Sequence, residues 1–172
     1  MFGITISSSS DVGPFWRLVD QASGLEPAPS IRTLGYLPHI TLVRYSQVLP
    51  DRLRDAAKQL EGEKAISLTF DRIGVFDADP IVLWLSPRAS HRLVHFHAKI
   101  HQAIGPALCD PHYRPGGWVP HLTIAMAIPT TRRSDALELA ARPLEPFTLT
   151  FHSADCVSWP PVRVVYTVPL RR

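Results

Sequence analysis

Two five-residue strings, Pro38-His39-Ile40-Thr41-Leu42 and Pro120-His121-Leu122-Thr123-Ile124, repeat the order Pro-His-apolar-Thr-apolar 82 residues apart. Alternate residues of a β-strand share a face. Each string therefore presents an imidazole beside a hydroxyl and turns two aliphatic side chains toward a core. Two imidazoles suit the cleavage of a phosphodiester. One group must take a proton from the nucleophile, and another must protonate the departing oxygen. A histidine with an ordinary pKa of about 6.5 can be neutral or charged near neutrality, so a pair can supply both states. The threonine hydroxyls can donate to the non-bridging oxygens as charge shifts. Neither a metal nor a cofactor is needed. A lone His-x-Thr means little in a chain with eight histidines. The full pattern, twice and at matched positions, carries the signal.

The elements around the strings repeat in the same order. The first half predicts strands at 2–7, 38–45 and 66–76. Between them lie helices at 12–23, with Phe15, Leu18, Val19 and Ala22 on one stripe, and at 51–61, with Leu53, Ala56, Ala57 and Leu60. The second half predicts strands at 81–86, 120–128 and 147–157. Its first helix is capped by Ser90 and stopped at Gly105-Pro106; a short second one is capped by Ser134 and ends before Pro143. A last strand at 162–168 has no first-half counterpart unless it matches 81–86. The Leu-Thr-Phe triplets at 68–70 and 149–151 are offset by 81 residues, nearly the offset of the motifs. The fold class is α+β, bilobal. One domain spans 1–172, built of two duplicated halves, about 1–78 and 79–172. The halves form lobes related by an approximate twofold, each with an antiparallel sheet and helices, and both histidines face the central cleft.

Composition is that of a globular chain, with 45% hydrophobic and 19% charged residues. A net charge of +3 tolerates phosphate-bearing partners without demonstrating them, and no basic run marks a nucleic-acid face. No signal peptide, anchor or membrane span is legible, so the expected location is the cytoplasm and the expected state a monomer. Cys109 and Cys156 read as small buried apolar residues.

Taken together, the paired PHITL and PHLTI strings resemble those of the 2H phosphoesterases, including the 2′-5′ RNA ligase-like and RNA cyclic phosphodiesterase branches. The resemblance covers nearly the whole chain. It implies metal-free chemistry on RNA-end or nucleotide phosphodiesters, with catalytic roles for His39, Thr41, His121 and Thr123. It also implies that His39 is the acid and His121 the base. Hydrolysis of a 2′,3′-cyclic phosphate or a 2′-5′ linkage is the leading activity. Reversible 2′-5′ ligation and the opening of a cyclic nucleotide or ADP-ribose phosphate stay open, as does a non-catalytic RNA-end binding module.

Weaker candidates lie elsewhere. Tyr45 falls on the face of His39 by alternation, and Trp118 precedes the second motif. Either can stack a base or pack in the core. Arg114 can meet a phosphate or simply be an exposed loop residue. His91/His95 and His97/His101 have the i, i+4 spacing of metal ligands. No Asp or Glu lies between 80 and 109 to complete such a site, and the pairs face different sides. They read as solvated or capping histidines, not a metal centre. Gly116-Gly117 reads as a turn.

Overall fold

The alternating strings extend into strands because their apolar halves have a sheet face to bury. In the computed structural model, which describes residues 1–172, eight strands form two antiparallel sheets of four. Sheet 1 has the order β2 (His39–Tyr45), β1 (Phe2–Ser7), β7 (Ser153–Ser158), β8 (Arg163–Pro169). Sheet 2 has the order β5 (Leu122–Ile128), β4 (Ile81–Pro87), β3 (Ile66–Phe76), β6 (Phe147–Phe151). The two motif strands, β2 and β5, thus occupy equivalent edges.

Neither sequence half builds a sheet alone. β3 of the first half lies in sheet 2, and β7 and β8 of the second half lie in sheet 1. Helices cross over as well. α1 (Gly13–Ser23) and the short α2 (Ser30–Thr33) connect β1 to β2 yet pack against β5. α4 (His91–Ile104) connects β4 to β5 yet packs against β2 and α3 (Pro50–Ala57). α5 (Arg133–Ala141) lies on β3 and β4. Phe15 and Val19 of α1, Leu53 of α3, and Leu93, Phe96 and Ile100 of α4 enter one apolar core with the inner residues of both sheets.

Three expectations need correction. The strand foreseen at 147–157 is two strands in different sheets, β6 and β7. The chain changes sheet at His152, whose N–H donates to the carbonyl of Ser7 in sheet 1. The Leu-Thr-Phe triplets are direct neighbours, Leu68 opposite Leu149, and lie in one sheet. Ser134 caps nothing: α5 follows a 3₁₀ turn at Thr130–Arg132, with Arg132 at its N-cap position. Ser90 does cap α4, accepting from the N–H of Leu93 at 3.3 Å. No helix is long and apolar enough to cross a membrane.

Candidate active site

His39 is the first residue of β2 and His121 lies one residue before β5, both at a sheet edge. His39 Nδ1 bonds the carbonyl of Leu37 at 2.9 Å, and His121 Nδ1 bonds the carbonyl of Val119 at 2.7 Å. A carbonyl only accepts, so Nδ1 carries the hydrogen in both rings. That fixes both tautomers the same way and leaves both Nε2 atoms for a ligand. Charge on His121 opposes the ionisation of His39. Burial pushes both imidazoles below the usual histidine range, while the backbone hydrogen bonds oppose the shift. An anion bound beside either ring would favour its charged form again. Thr41 and Thr123 lie on the same faces, half-buried, beside their histidines.

Both motif strands then break register at the same place. Thr5 pairs with Thr41, but Ile4 pairs with Val43, so β2 carries one extra residue at 42. Trp84 pairs with Thr123, but Leu83 pairs with Ala125, so β5 carries one extra residue at 124. Such a bulge reverses the in–out alternation beyond it. Leu42 and Val43 are both buried, and so are Ile124 and Ala125. The consequence overturns the expectation for Tyr45. It is 1% exposed, and its hydroxyl donates to the carbonyl of Gly105 at 3.1 Å. Arg44 takes the cleft-facing position instead. It lines a cleft of about 550 Å³ with Phe76, Tyr113, His121, Thr123 and Met126, and its Nε lies 3.6 Å from Asp110. No glycine or proline in 39–45 signals the bulge, so the sequence offered no clue to Arg44.

Trp118 and Arg114 also have structural work. Trp118 Nε1–H donates to the carbonyl of Thr41 at 3.1 Å, and its ring stacks on His97 with centroids 4.1 Å apart. It ties the approach to the second motif onto the first motif strand. Arg114 donates to the carbonyls of Cys109 at 2.8 Å and Ala107 at 3.1 Å, bracing its own loop. His97 and His101 are buried, contrary to the solvated reading. Both donate from Nε2 to the carbonyl of Tyr113, at 2.8 and 2.9 Å. Burial lowers the pKa of His97 to about 4. The pair clamps the loop that bears Tyr113, a residue whose ring centroid lies 6.1 Å from that of His121. His91 and His95 stay on the outer part of α4, with His95 Nε2 3.7 Å from Glu63.

The surroundings of the two histidines differ. Tyr36, which the sequence did not single out, packs on His39 with ring centroids 4.8 Å apart. Its hydroxyl bonds Thr5 at 2.8 Å and Asp155 at 2.7 Å. Beyond it opens a recess of about 610 Å³ lined by Trp16, Tyr36, Asp155 and Thr167. His121 instead meets Phe76 edge-on at 5.2 Å and Trp84 at 6.1 Å.

The fold has solved relatives. The crystal structure of E. coli LigT complexed with 3′-AMP superposes with a TM-score of 0.64 at 14% identity, over 99% of this chain and 98% of that one. TT0787 of Thermus thermophilus gives 0.62 at 14% identity, covering 99% and 97%. A structure described as a phosphoesterase gives 0.62 at 13% identity, covering 99% and 98%. No curated protein matches the chain in sequence. The family model of the 2′-5′ RNA ligase superfamily matches residues 15–161. With two edge strands presenting like-oriented histidines and a family match over most of its length, the chain belongs to the 2′-5′ RNA ligase superfamily of 2H phosphoesterases.

Proposed function

We propose that the protein is a metal-independent phosphodiesterase acting on RNA-type phosphodiesters, a 2′,3′-cyclic phosphate or a 2′-5′ linkage, by two-histidine acid–base catalysis. One observation supports this reading: the same Nδ1–carbonyl bond at His39 and at His121, which leaves Nε2 free in both rings. His121 takes a proton from water as its oxygen attacks phosphorus. His39 gives a proton to the departing ribose oxygen. Thr41 and Thr123 donate to the non-bridging oxygens, and Arg44 supplies positive charge at the cleft wall. Both proton transfers are assigned to imidazoles, so the scheme requires no metal.

Ligation would use the same groups with a 5′-hydroxyl in place of water: its oxygen attacks the phosphorus of a 2′,3′-cyclic phosphate, the bond to the 3′-oxygen breaks and that oxygen takes the proton, leaving a 2′-5′ bond. The protein should be incubated with 2′,3′-cyclic, 3′,5′-cyclic and 2′-5′-linked oligonucleotides, with and without exhaustive EDTA treatment, and the products identified. Turnover of the cyclic or 2′-5′ substrates that survives chelation is expected. Activity lost to EDTA and restored by zinc or manganese would sink the mechanism.

A further inference from the structure

The cleft-facing side of sheet 1 holds a buried carboxylate that the acid–base scheme has not used. Asp155 of β7 pairs with Thr5, and Thr5 pairs with Thr41. Paired residues on neighbouring strands share a face, so Asp155 lies on the face of His39 and Thr41, two strands inward. It is 4% exposed. Ser7 donates to it at 2.6 Å, Tyr36 at 2.7 Å and Thr167 at 2.8 Å. These partners are hydroxyls; no lysine or arginine pairs with it. Three hydroxyl donors satisfy its oxygens but bring no opposite charge. An uncompensated buried anion stabilises any cation that forms near it.

The titratable groups acting on His39 are Tyr36 against its ring, Asp155 behind Tyr36, and His121. Burial pushes the Tyr36 phenol far up, which keeps it neutral. Asp155 is then the one anion acting on His39, and it opposes the larger effect of burial and the effect of His121's charge, both of which lower the pKa of that ring. The equivalent position in sheet 2 is empty of charge. Thr123 pairs with Trp84, and Trp84 pairs with Gly74, so Gly74 stands where Asp155 stands. A Cβ at Gly74 would lie 2.4 Å from the Trp84 ring, so the indole occupies that space.

We propose that Asp155 is a positioning residue that commits His39 to the role of proton donor, its carboxylate favouring the imidazolium there and so giving two otherwise equivalent histidines different tasks. The proposal rests on the acid–base reading above. The His39 Nε2–H proton passes to the ribose oxygen as the P–O bond breaks and its electron pair goes to that oxygen. His39 is left neutral, and His121 holds the proton taken from water until solvent removes it.

Asp155→Asn keeps the shape and removes the charge. Its pH–rate profile should be measured on a 2′,3′-cyclic nucleotide and on a nitrophenyl phosphodiester that the wild type accepts, with the His39 and His121 ring protons titrated by NMR. Without the anion, His39 loses its proton at lower pH. The basic limb on the cyclic substrate should move down by roughly 0.5–1 pH unit, lowering the rate on that limb about three- to tenfold. The nitrophenyl rate should hold, because that leaving group needs no acid. The His39 titration should move by the same amount and that of His121 should not. Thr167→Val removes one donor but keeps the charge, so it should leave the basic limb in place. Equal losses on both substrates with an unmoved limb would make Asp155 structural and overturn the proposal, as would a shift confined to His121. If the wild type turned over no diester, the hydrolase reading would fall, and the NMR shift at His39 alone would still decide whether the charge coupling exists.

Discussion

On sheet 1 the motif histidine stands beside Ser7, Thr5, Tyr36 and Asp155; on sheet 2 its counterpart stands beside Trp84, Phe76, Val82 and the space left by Gly74. The backbones match closely. Both strands start at a sheet edge, both histidines bond a carbonyl two residues back, and both strands bulge just after the threonine. The floors do not match: one is polar with a buried anion, the other aromatic. The shared backbone sets where the two Nε2 atoms lie. On the proposal above, the floors bias which proton state each imidazole favours: the matched frame presents two like histidines, and the unlike floors would distinguish their roles.

The sharpest way to break this comparison is to remove each histidine in turn. His39→Ala and His121→Ala should each lower turnover of a cyclic ribose phosphate by about 10²–10⁴-fold. On a nitrophenyl diester His39→Ala should largely recover, and His121→Ala should not. Rescue of His121→Ala instead would reverse the two roles. Gly74→Ala tests the aromatic floor. Its methyl would press on Trp84, which stacks on Phe76 at 4.9 Å and is not free to move aside. We expect a stability loss of about 1–3 kcal/mol by denaturant titration, with activity lowered on both leaving groups. Unchanged stability would mean that the indole is held loosely.

Thr41→Val and Thr123→Val keep a β-branched residue and should each slow turnover about tenfold without unfolding. Full activity in both would assign the hydroxyls to structure alone. Arg44→Met makes position 44 resemble Met126, its counterpart after the other bulge. KM for an anionic diester should rise roughly fivefold with little change in kcat, the pattern of a lost ground-state contact. An unchanged KM would show that Asp110 holds Arg44 away from the substrate. The smallest effect belongs to Tyr45→Phe, which removes a buried hydroxyl and its bond to Gly105. It should cost about 1 kcal/mol of stability and leave KM unchanged. A raised KM would return Tyr45 to the cleft.

The motif residues were legible because their chemistry and their register coincide: two titrating side chains, each two positions from a hydroxyl, in strings that can only bury their aliphatic half as strands. The fold class followed from the repeated order of elements, and most strand bounds fell within two residues. Where simple alternation was carried too far, it failed. Counting by twos from His39 leads to Tyr45, and only the extra residue in the strand moves Arg44 to that face. The run at 147–157 likewise reads as one strand, since nothing in His152 announces a change of sheet. His97 and His101, read as solvated, are buried because Tyr113, twelve residues beyond His101, brings its carbonyl back to both.

The sequence by itself determined the two histidines, the two threonines, the acid–base chemistry they allow, and the antiparallel frame that presents them. These depend on residue type and on spacing within one strand, which a linear chain displays directly. The tertiary structure decided which partner each histidine has. Asp155 lies more than a hundred residues from His39 in the chain, and Tyr36 meets it only because β7 pairs with β1, beside β2. Gly74 and Trp84 share their space only because β3 pairs with β4, beside β5. Lateral strand pairing joins residues with no local relation in the sequence, so the floors that distinguish the two halves of the site exist only in the folded sheets.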